Sequence, residues 1–342
     1  MADLTPASDL NRFDQGDFHL ADNSLRARID RNYSSQSYWK DALVRFRANK
    51  GAVFGLIMII LIAALAIIGP MMSDHTYKSM NIRHKSLPPR IEGFDNTFIF
   101  NGEVKGVNLY EKRKLDDVYY TFGTDTLGRD LWTRTWQGTR ISLYIAVIAV
   151  AIDMIIGMTY GLISGYFGGR VDSLMQRFIE ILSGIPNLVI VTLLIVVLKP
   201  GLVTITLALM ITGWIGMSRV ARAQMLKLKE QEFVLASRTL GARNFGIIFR
   251  DILPNIFGQI IIMSMFSVPS AIFTEAFLAF IGLGIPQPMA SLGSLISESF
   301  KSMTIYPYMI VPPVVVLALL MLSFNLLADG LRDALDPKMK EM

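Results

Sequence analysis

The acidic residues that are candidates for a catalytic or transport role lie either in one polar stretch or in long apolar segments. Asp125 and Asp130 share one polar stretch and could serve as an acidic catalytic pair. Asp153, Glu180 and Glu275 lie within or at the ends of long apolar segments, where a charged group is costly and usually marks a transport path or an ion pair. For Asp153, which is nearest the middle of its segment, a water-filled path and an internal hydrogen-bonded pair are equally open. Glu180 and Glu275 can each lie near a membrane interface, which favours a structural role for both.

The sequence lacks the usual motifs of an enzyme or an ATP-binding protein. It contains no G-x-x-x-x-G-K-[ST], H-E-x-x-H or G-x-S-x-G motif and no cysteine, and its three histidines lie far apart. For Asp125 we favour capping of a short helix that begins near Thr126 over catalysis. A hydrolase that uses Asp125, Asp130 or Asp153 is an alternative, but it needs two acids at one depth and only Asp153 lies mid-span. We therefore predict a chain without catalytic residues, metal site or bound cofactor.

The composition indicates a membrane protein. The chain has 342 residues, of which 52% are hydrophobic and 18% charged, and its mean hydropathy is +0.43. A soluble chain carries about a quarter charged residues. The net charge of +5 does not indicate nucleic acid as a partner, because the basic residues flank apolar segments and do not form one patch.

The apolar residues form six blocks, each of a length that can cross a bilayer. The predicted spans are 51–73, 141–167, 178–198, 201–217, 252–280 and 302–328. The predicted organisation is a cytoplasmic tail with an amphipathic lead-in (1–50), a first span (51–73), an extracytoplasmic loop (74–140), a core with five spans (141–331) and a cytoplasmic tail (332–342). Lys and Arg favour the segments on one side, which predicts that both termini are cytoplasmic.

Two local patterns predict further structure. Short strands are expected around 97–105 within the long loop. Gly157, Gly161 and Gly165 recur every four residues in the second span, and such a small-residue stripe favours close helix packing over a ligand contact.

Residues 219–255 form a polar insert between the fourth and fifth spans. Leu240-Gly241 is typical of a helix C-terminus, because glycine tolerates the left-handed conformation that closes the last turn. A second short helix is expected over 242–252, ended by Leu253-Pro254 because proline cannot continue the backbone hydrogen bonds. This predicts a compact docking element on one side of the membrane.

The insert resembles the EAA loop of ABC-importer permeases, and its longer form is similar to that of the peptide and nickel importer branch. Two residues depart from the general pattern of the family: Leu235 stands where Glu is usual, and Asp251 where Ile is usual. These departures narrow the resemblance to the peptide and nickel importer branch. In that family the loop is the coupling helix that docks in a groove of the cytoplasmic ATPase. The resemblance implies that the ATPase-coupling residues are Glu232, Ala236, Ser237, Arg238, Gly241, Ala242, Arg243, Leu253 and Pro254.

Two other segments carry the same resemblance. The segment ahead of the second span is similar to the family's FGTD-xx-GRD motif, with Gly123, Thr124, Asp125, Gly128, Arg129 and Asp130. The C-terminal stretch 329–337 resembles the signature of the same branch. Arg129 and Arg134, with Trp132 and Trp136, are expected on an interfacial helix, since arginine and tryptophan favour headgroup depth.

The resemblance implies an all-α integral membrane protein with six transmembrane helices in the type I ABC-importer permease fold, in the cell membrane of a bacterium. It implies a second homologous permease, two cytoplasmic subunits that hold ATP and Mg, and an extracytoplasmic peptide-binding protein as partners. Oligopeptides are the favoured cargo, because the first loop is long; dipeptides and nickel chelates are alternatives. A stand-alone secondary carrier is disfavoured, because no inverted repeat is evident.

Overall fold

A computed structural model describes residues 38–94, 100–104 and 106–335. The chain divides into two compact units, Met1–Val44 and Arg45–Met342. The described part of the first unit begins helix α1 (Tyr38–Ala48), which agrees with the predicted amphipathic lead-in. The rest of the predicted N-terminal tail, part of the predicted strand region (97–99 and 105) and the end of the C-terminal tail (336–342) lie outside the described residues.

The first span is helix α2 (Lys50–Ile68). Its sequence is almost entirely apolar, and Asn49 caps its start by accepting a hydrogen bond from the backbone N–H of Ala52 at 3.1 Å. A short 3₁₀ turn, Gly69–Met71, extends it toward the outer loop. The predicted first span is confirmed.

The outer loop contains a small folded excursion. Strands β1 (Glu103–Val104) and β2 (Val107–Asn108) pair antiparallel and lead into helix α3 (Leu109–Lys112). The loop has an apolar cluster of its own, made by Leu87, Tyr110, Leu115 and Tyr120. The predicted strands are therefore present in the described part, as a hairpin of two-residue strands.

The second span is one long helical rod. It consists of α4 (Leu131–Ile152), a π-helical segment (Asp153–Gly157) and α5 (Met158–Phe167). It begins well before the predicted residue 141, because Asp130 caps its first turn and so ends the outer loop at that point. Polar residues of the first turns hid this start from a search for apolar runs.

The third predicted span is broken. Helices α6 (Gly169–Gly184) and α7 (Asn187–Leu198) are bent by 77° where Pro186 interrupts the backbone hydrogen bonds. The described part of the chain thus has five helices that are long and apolar enough to cross a membrane, or six if this bent pair is one span. This confirms the predicted helical membrane fold and corrects the straight span over 178–198.

The remaining spans enclose the predicted docking element. Helices α8 (Leu202–Thr212) and α9 (Ile215–Leu228) lead into it, and α10 (Glu232–Thr239) forms its centre. A helical rod then leaves it, consisting of α11 (Asn244–Gly246), a π-helical segment (Ile247–Ile252), α12 (Leu253–Leu278) and a further π turn (Ala279–Leu283) that is kinked at Gly282. The predicted loop over 282–301 contains helix α13 (Leu292–Phe300), and the last span is α14 (Val311–Leu335), preceded by a 3₁₀ turn at Pro307–Met309.

Helices α5 and α9 pack closely along the glycine stripe. A Cβ atom added at Gly161 would lie 2.2 Å from the carbonyl oxygen of Ser218, and one at Gly157 would lie 2.7 Å from the side chain of Met217. These distances leave no room for any side chain. The stripe is therefore a packing surface within the chain, as predicted.

Candidate functional site: the coupling loop and a membrane cavity

A Schellman motif shapes the tip of the docking element. The N–H of Ala242 donates to the carbonyl of Ser237 and the N–H of Gly241 to that of Arg238, both at 3.0 Å. Gly241 has a φ of +80°, the left-handed conformation that this closure requires. The predicted helix C-terminus at Leu240-Gly241 is confirmed.

The inner side of the loop is anchored to the end of the second span. The guanidinium of Arg238 lies 5.1 Å from the ring centre of Tyr166, whose hydroxyl donates to Oδ1 of Asn244 at 3.0 Å. Val234, Ile247 and other apolar residues are fully buried in one cluster beneath the loop. Sequence reasoning missed Tyr166, because it lies far from the loop in the chain and no local pattern links the two.

The outer side of the loop is an exposed apolar surface. Leu240 is 87% exposed and Phe245 60%, and Phe233 and Leu235 are also exposed. Most of the residues that the resemblance assigns to coupling are exposed; they are Glu232, Ala236, Arg238, Gly241, Ala242, Arg243 and Pro254, with Ser237 and Leu253 half-buried. Exposed large apolar side chains at a loop tip are typical of a surface that docks against another protein.

Pro254 does not end a helix, contrary to the expectation. It stands at the start of α12 within a rod that runs from Asn244 to Leu283. The π-helical segment Ile247–Ile252 comes directly before it, and proline is tolerated at the first turn of a helix, where its missing N–H leaves no gap. The loop therefore passes into the fifth span without a break.

A buried charge cluster holds the GTD/GRD segment. Arg129 and Arg134 are each 1% exposed, and both donate to Oδ2 of Asp125 and to Oε2 of Glu298. Nε of Arg129 lies 2.6 Å from Asp125, and Gln287 bonds both Arg129 and Glu298. Two cations face two anions, so the cluster satisfies the pairing that buried charges require.

This cluster corrects two expectations. Asp125 caps no helix near Thr126: its Oδ1 accepts from the N–H groups of Leu127 and Arg129 in a turn, and the helix starts later, after Asp130. Arg129 and Arg134 are buried against their carboxylate partners, so their guanidinium groups contact protein and are not free to bind lipid headgroups. Neither aspartate is placed as a catalytic pair would be, since each is fully engaged in local contacts.

The glycines and Thr124 of the same motif serve its compact turns. Gly128 has a φ of +74°, and a Cβ there would lie 1.9 Å from the carbonyl oxygen of Asn81. Thr124 is fully buried and accepts from the N–H of Leu87 at 2.8 Å. Gly123 also has a positive φ. The motif is thus a structural joint between the outer loop and the start of α4.

Aromatic and histidine side chains support this joint from the outer loop. Nδ1 of His84 lies 2.6 Å from the Tyr120 hydroxyl, and the Tyr110 hydroxyl donates to the carbonyl of Pro88 at 2.7 Å. Burial raises the pKa of Tyr110, and burial with the nearby Asp130 carboxylate raises the pKa of Tyr120 to about 12. Burial, and then the charges of neighbouring basic residues, lower the pKa of His84.

The three membrane acids occupy different environments. Asp153 is 2% exposed, and its Oδ2 has no hydrogen-bond partner among the described residues. Glu180 is exposed and pairs with Arg177 at 2.7 Å, which fits a structural role near an interface. Glu275 is 1% exposed, and neither of its oxygens accepts a hydrogen bond from a described residue.

Asp153 lies on the wall of a cavity of about 410 Å³. The wall comes from the π-helical segment of the second span, the α8–α9 junction, α12 and the start of α7. Its polar members are Asp153, Asn187, Thr212, Ser267, Ser270 and Thr274. The described residues hold no group of three or more His, Asp or Glu side chains that could bind a metal ion.

The fold and the two motifs define a membrane-embedded transport subunit, and comparisons with known proteins agree. A family model described as "Binding-protein-dependent transport system inner membrane component" matches residues 157–341, and a model for the "N-terminal TM domain of oligopeptide transport permease C" matches residues 37–89. The chain therefore belongs to the family of binding-protein-dependent transport system inner membrane components, which are multi-pass cell-membrane proteins.

Curated relatives cover nearly the whole chain. It is 45% identical over 307 residues to the oligopeptide transport system permease protein OppC of Bacillus subtilis (strain 168), covering 90% of this chain and 92% of the relative. It is 42% identical over 307 residues to the dipeptide transport system permease protein DppC of the same organism, covering 90% and 88%. A solved structure of the inward-facing MetNI methionine ABC transporter is similar with a TM-score of 0.46 and 14% identity, over 57% of this chain and 94% of that one.

Proposed function

We propose that this chain is the transmembrane permease subunit of an ATP-driven ABC importer that moves oligopeptides into the cell. The observation that carries the proposal is the exposed apolar tip at Leu240 and Phe245, closed by Gly241 and anchored from beneath. Such a surface suits docking to a separate ATPase. In this proposal the chain itself binds no ATP or Mg, which the partner subunits hold.

The two helical rods that join at the coupling loop also line the membrane cavity. The rod that enters the loop contributes Thr212 and Gly216, and the rod that leaves it contributes Met263 and Ser267. A push on the loop is therefore transmitted along two stiff elements to the cavity wall. This supports a mechanism in which closure of the ATPases tilts the spans and alternates access to the cavity.

The proposed assembly has a second homologous permease, two cytoplasmic ATPases and an extracytoplasmic peptide-binding protein. The cavity wall includes the exposed polar residues Asn187 and Ser270 and the half-buried Thr274, on helices that are otherwise mostly apolar. Such polar groups cannot form hydrogen bonds with lipid. We therefore infer that a second permease, and not lipid, faces this cavity. The proposed topology has six spans with both termini and the coupling loop in the cytoplasm.

Oligopeptides are proposed as the cargo, with dipeptides as the second candidate, because the relatives at 45% and 42% identity carry those two names. A nickel chelate is the third. The experiment is uptake of labelled di-, tri- and pentapeptides and of nickel by cells that lack this chain, with and without the gene restored. The proposal expects restored uptake of the longer peptides. Restored nickel uptake alone, or no restored uptake, would contradict it.

A further inference from the structure

The cavity at the centre of the spans holds one ionisable side chain among the described residues that line it. Asp153 is 2% exposed, and no group in the described part of the chain forms a hydrogen bond with its Oδ2 atom. The remaining wall is apolar or neutral, with hydroxyl groups from Thr212, Ser267 and Ser270 and an amide from Asn187. A buried carboxylate with an unsatisfied oxygen is costly unless a cation or a donor completes it.

The cavity is suited to a ligand larger than a metal ion. Its volume of about 410 Å³ is within the range of pockets that hold small organic molecules. The single carboxylate supplies one anionic ligand, whereas the hard cations prefer six or more oxygen ligands. An ammonium group on an organic molecule fits better, because it needs one counter-charge and a few acceptors such as hydroxyl oxygens.

The backbone near Asp153 also departs from regular helix. Asp153 begins the π-helical segment Asp153–Gly157 inside an otherwise α-helical rod, and such segments frequently occur at functional sites. Across the cavity, Phe266 and Met263 offer apolar contact for the rest of a ligand. The carboxylate comes from the second span, whereas Met263, Phe266 and the hydroxyl groups of Ser267 and Ser270 come from α12, so the cavity combines them by tertiary folding.

We propose that the Asp153 carboxylate binds the ammonium group of the cargo as it passes through this cavity. The inference rests on the proposed function, because it takes peptides to be the cargo. The ammonium has two possible sources in a peptide, the free N-terminus and a lysine side chain. Either source offers the same chemistry to Asp153.

The test uses the complete importer in proteoliposomes with its binding protein. The cargos are one pentapeptide in three forms: lysine-free with a free N-terminus, lysine-free and N-acetylated, and N-acetylated with one lysine. Each is supplied at the concentration that loads the binding protein to the same extent, so that the selectivity of the binding protein does not enter the comparison. The variants are D153N, which keeps the shape without the charge, D153E, which keeps the charge, and E180Q, a control that removes an exposed acid outside the cavity wall.

D153N is expected to lower uptake of the free-amine peptide about ten-fold relative to the acetylated lysine-free peptide, which corresponds to about 1.4 kcal/mol. D153E is expected to keep the wild-type ratio, and E180Q to leave it unchanged. A matching loss with the acetylated lysine peptide assigns the lysine side chain as a second source. Equal loss for all three cargos, or none, overturns the inference, and a wild-type importer that moves no peptide refutes the proposed function itself.

Discussion

Replacement of Gly241 tests the shape of the coupling loop with little steric interference. A Cβ atom built at Gly241 meets nothing within 4 Å, so a substitution acts through the backbone alone. At a φ of +80°, an L-residue costs roughly 1–2 kcal/mol, a factor of about 5–30 in the population of the docked shape. Asparagine tolerates this conformation better than alanine, and valine tolerates it least.

We therefore expect coupled uptake to fall in the order Gly241, Gly241→Asn, Gly241→Ala and Gly241→Val, with the valine variant at least ten-fold below the wild type. The assay is peptide uptake and peptide-stimulated ATP hydrolysis by the reconstituted importer. Membrane insertion and the elution volume in detergent are expected to remain normal, because α10 and the buried cluster beneath it are untouched.

Gly246 provides a matched control in the same loop. It too has open space around a built Cβ, but its φ of −60° is helical. Gly246→Ala and Gly246→Val should therefore retain coupling. Equal effects of valine at Gly241 and Gly246, or normal transport by Gly241→Val, would refute the reasoning.

Three further predictions concern the outer joint and the packing of the spans. Arg134→Met leaves the buried Asp125 and the half-buried Glu298 with one guanidinium, so the free energy of unfolding should fall by about 3–5 kcal/mol, seen as a lower Tm in detergent. Gly161→Ala places a methyl group 2.2 Å from the carbonyl oxygen of Ser218 and should destabilise the protein by about 1–3 kcal/mol in the same measurement. The lowered pKa of His84 means that the folded state resists protonation, so stability should be lost as pH falls below the ordinary value of 6.5, and His84→Gln should flatten that part of the Tm profile.

Controls for these predictions come from the same chain. Arg177→Met breaks an exposed ion pair and should change stability by less than about 1 kcal/mol. Gly184→Ala adds a methyl group in open space and should leave Tm unchanged. A Tm change for Arg134→Met no larger than that for Arg177→Met, an unaffected Gly161→Ala, or an identical pH profile for His84→Gln would each contradict the corresponding structural account.

The spans could be predicted from the sequence because long runs of apolar residues are typical of membrane-spanning helices. Their ends could not, since they depend on single polar contacts. Asp130 starts α4 well before the apolar run begins, and Pro186 breaks a segment whose hydropathy is continuous. The fifth span begins before Pro254, because a π-helical segment accommodates a proline that local rules treat as a stop.

The candidate site also has a part that could be predicted from the sequence and a part that could not. The coupling loop is local in sequence, so Gly241 and its helix end could be predicted from a short pattern. The charge cluster joins Arg129 to Glu298, and the loop anchor joins Tyr166 to Asn244, across distances in the chain that no motif spans. Asp153 was recognised as unusual from its apolar surroundings, but the cavity beside it exists only in the folded bundle.

Purification of the tagged chain from its native membrane in mild detergent tests the central claim most directly. The claim is that this chain is a permease that works through ATPases docked on residues 219–255. It predicts co-elution of a second permease and two ATP-binding subunits, with ATP hydrolysis stimulated by the peptide-loaded binding protein. A chain that elutes alone and transports peptides by itself would contradict it.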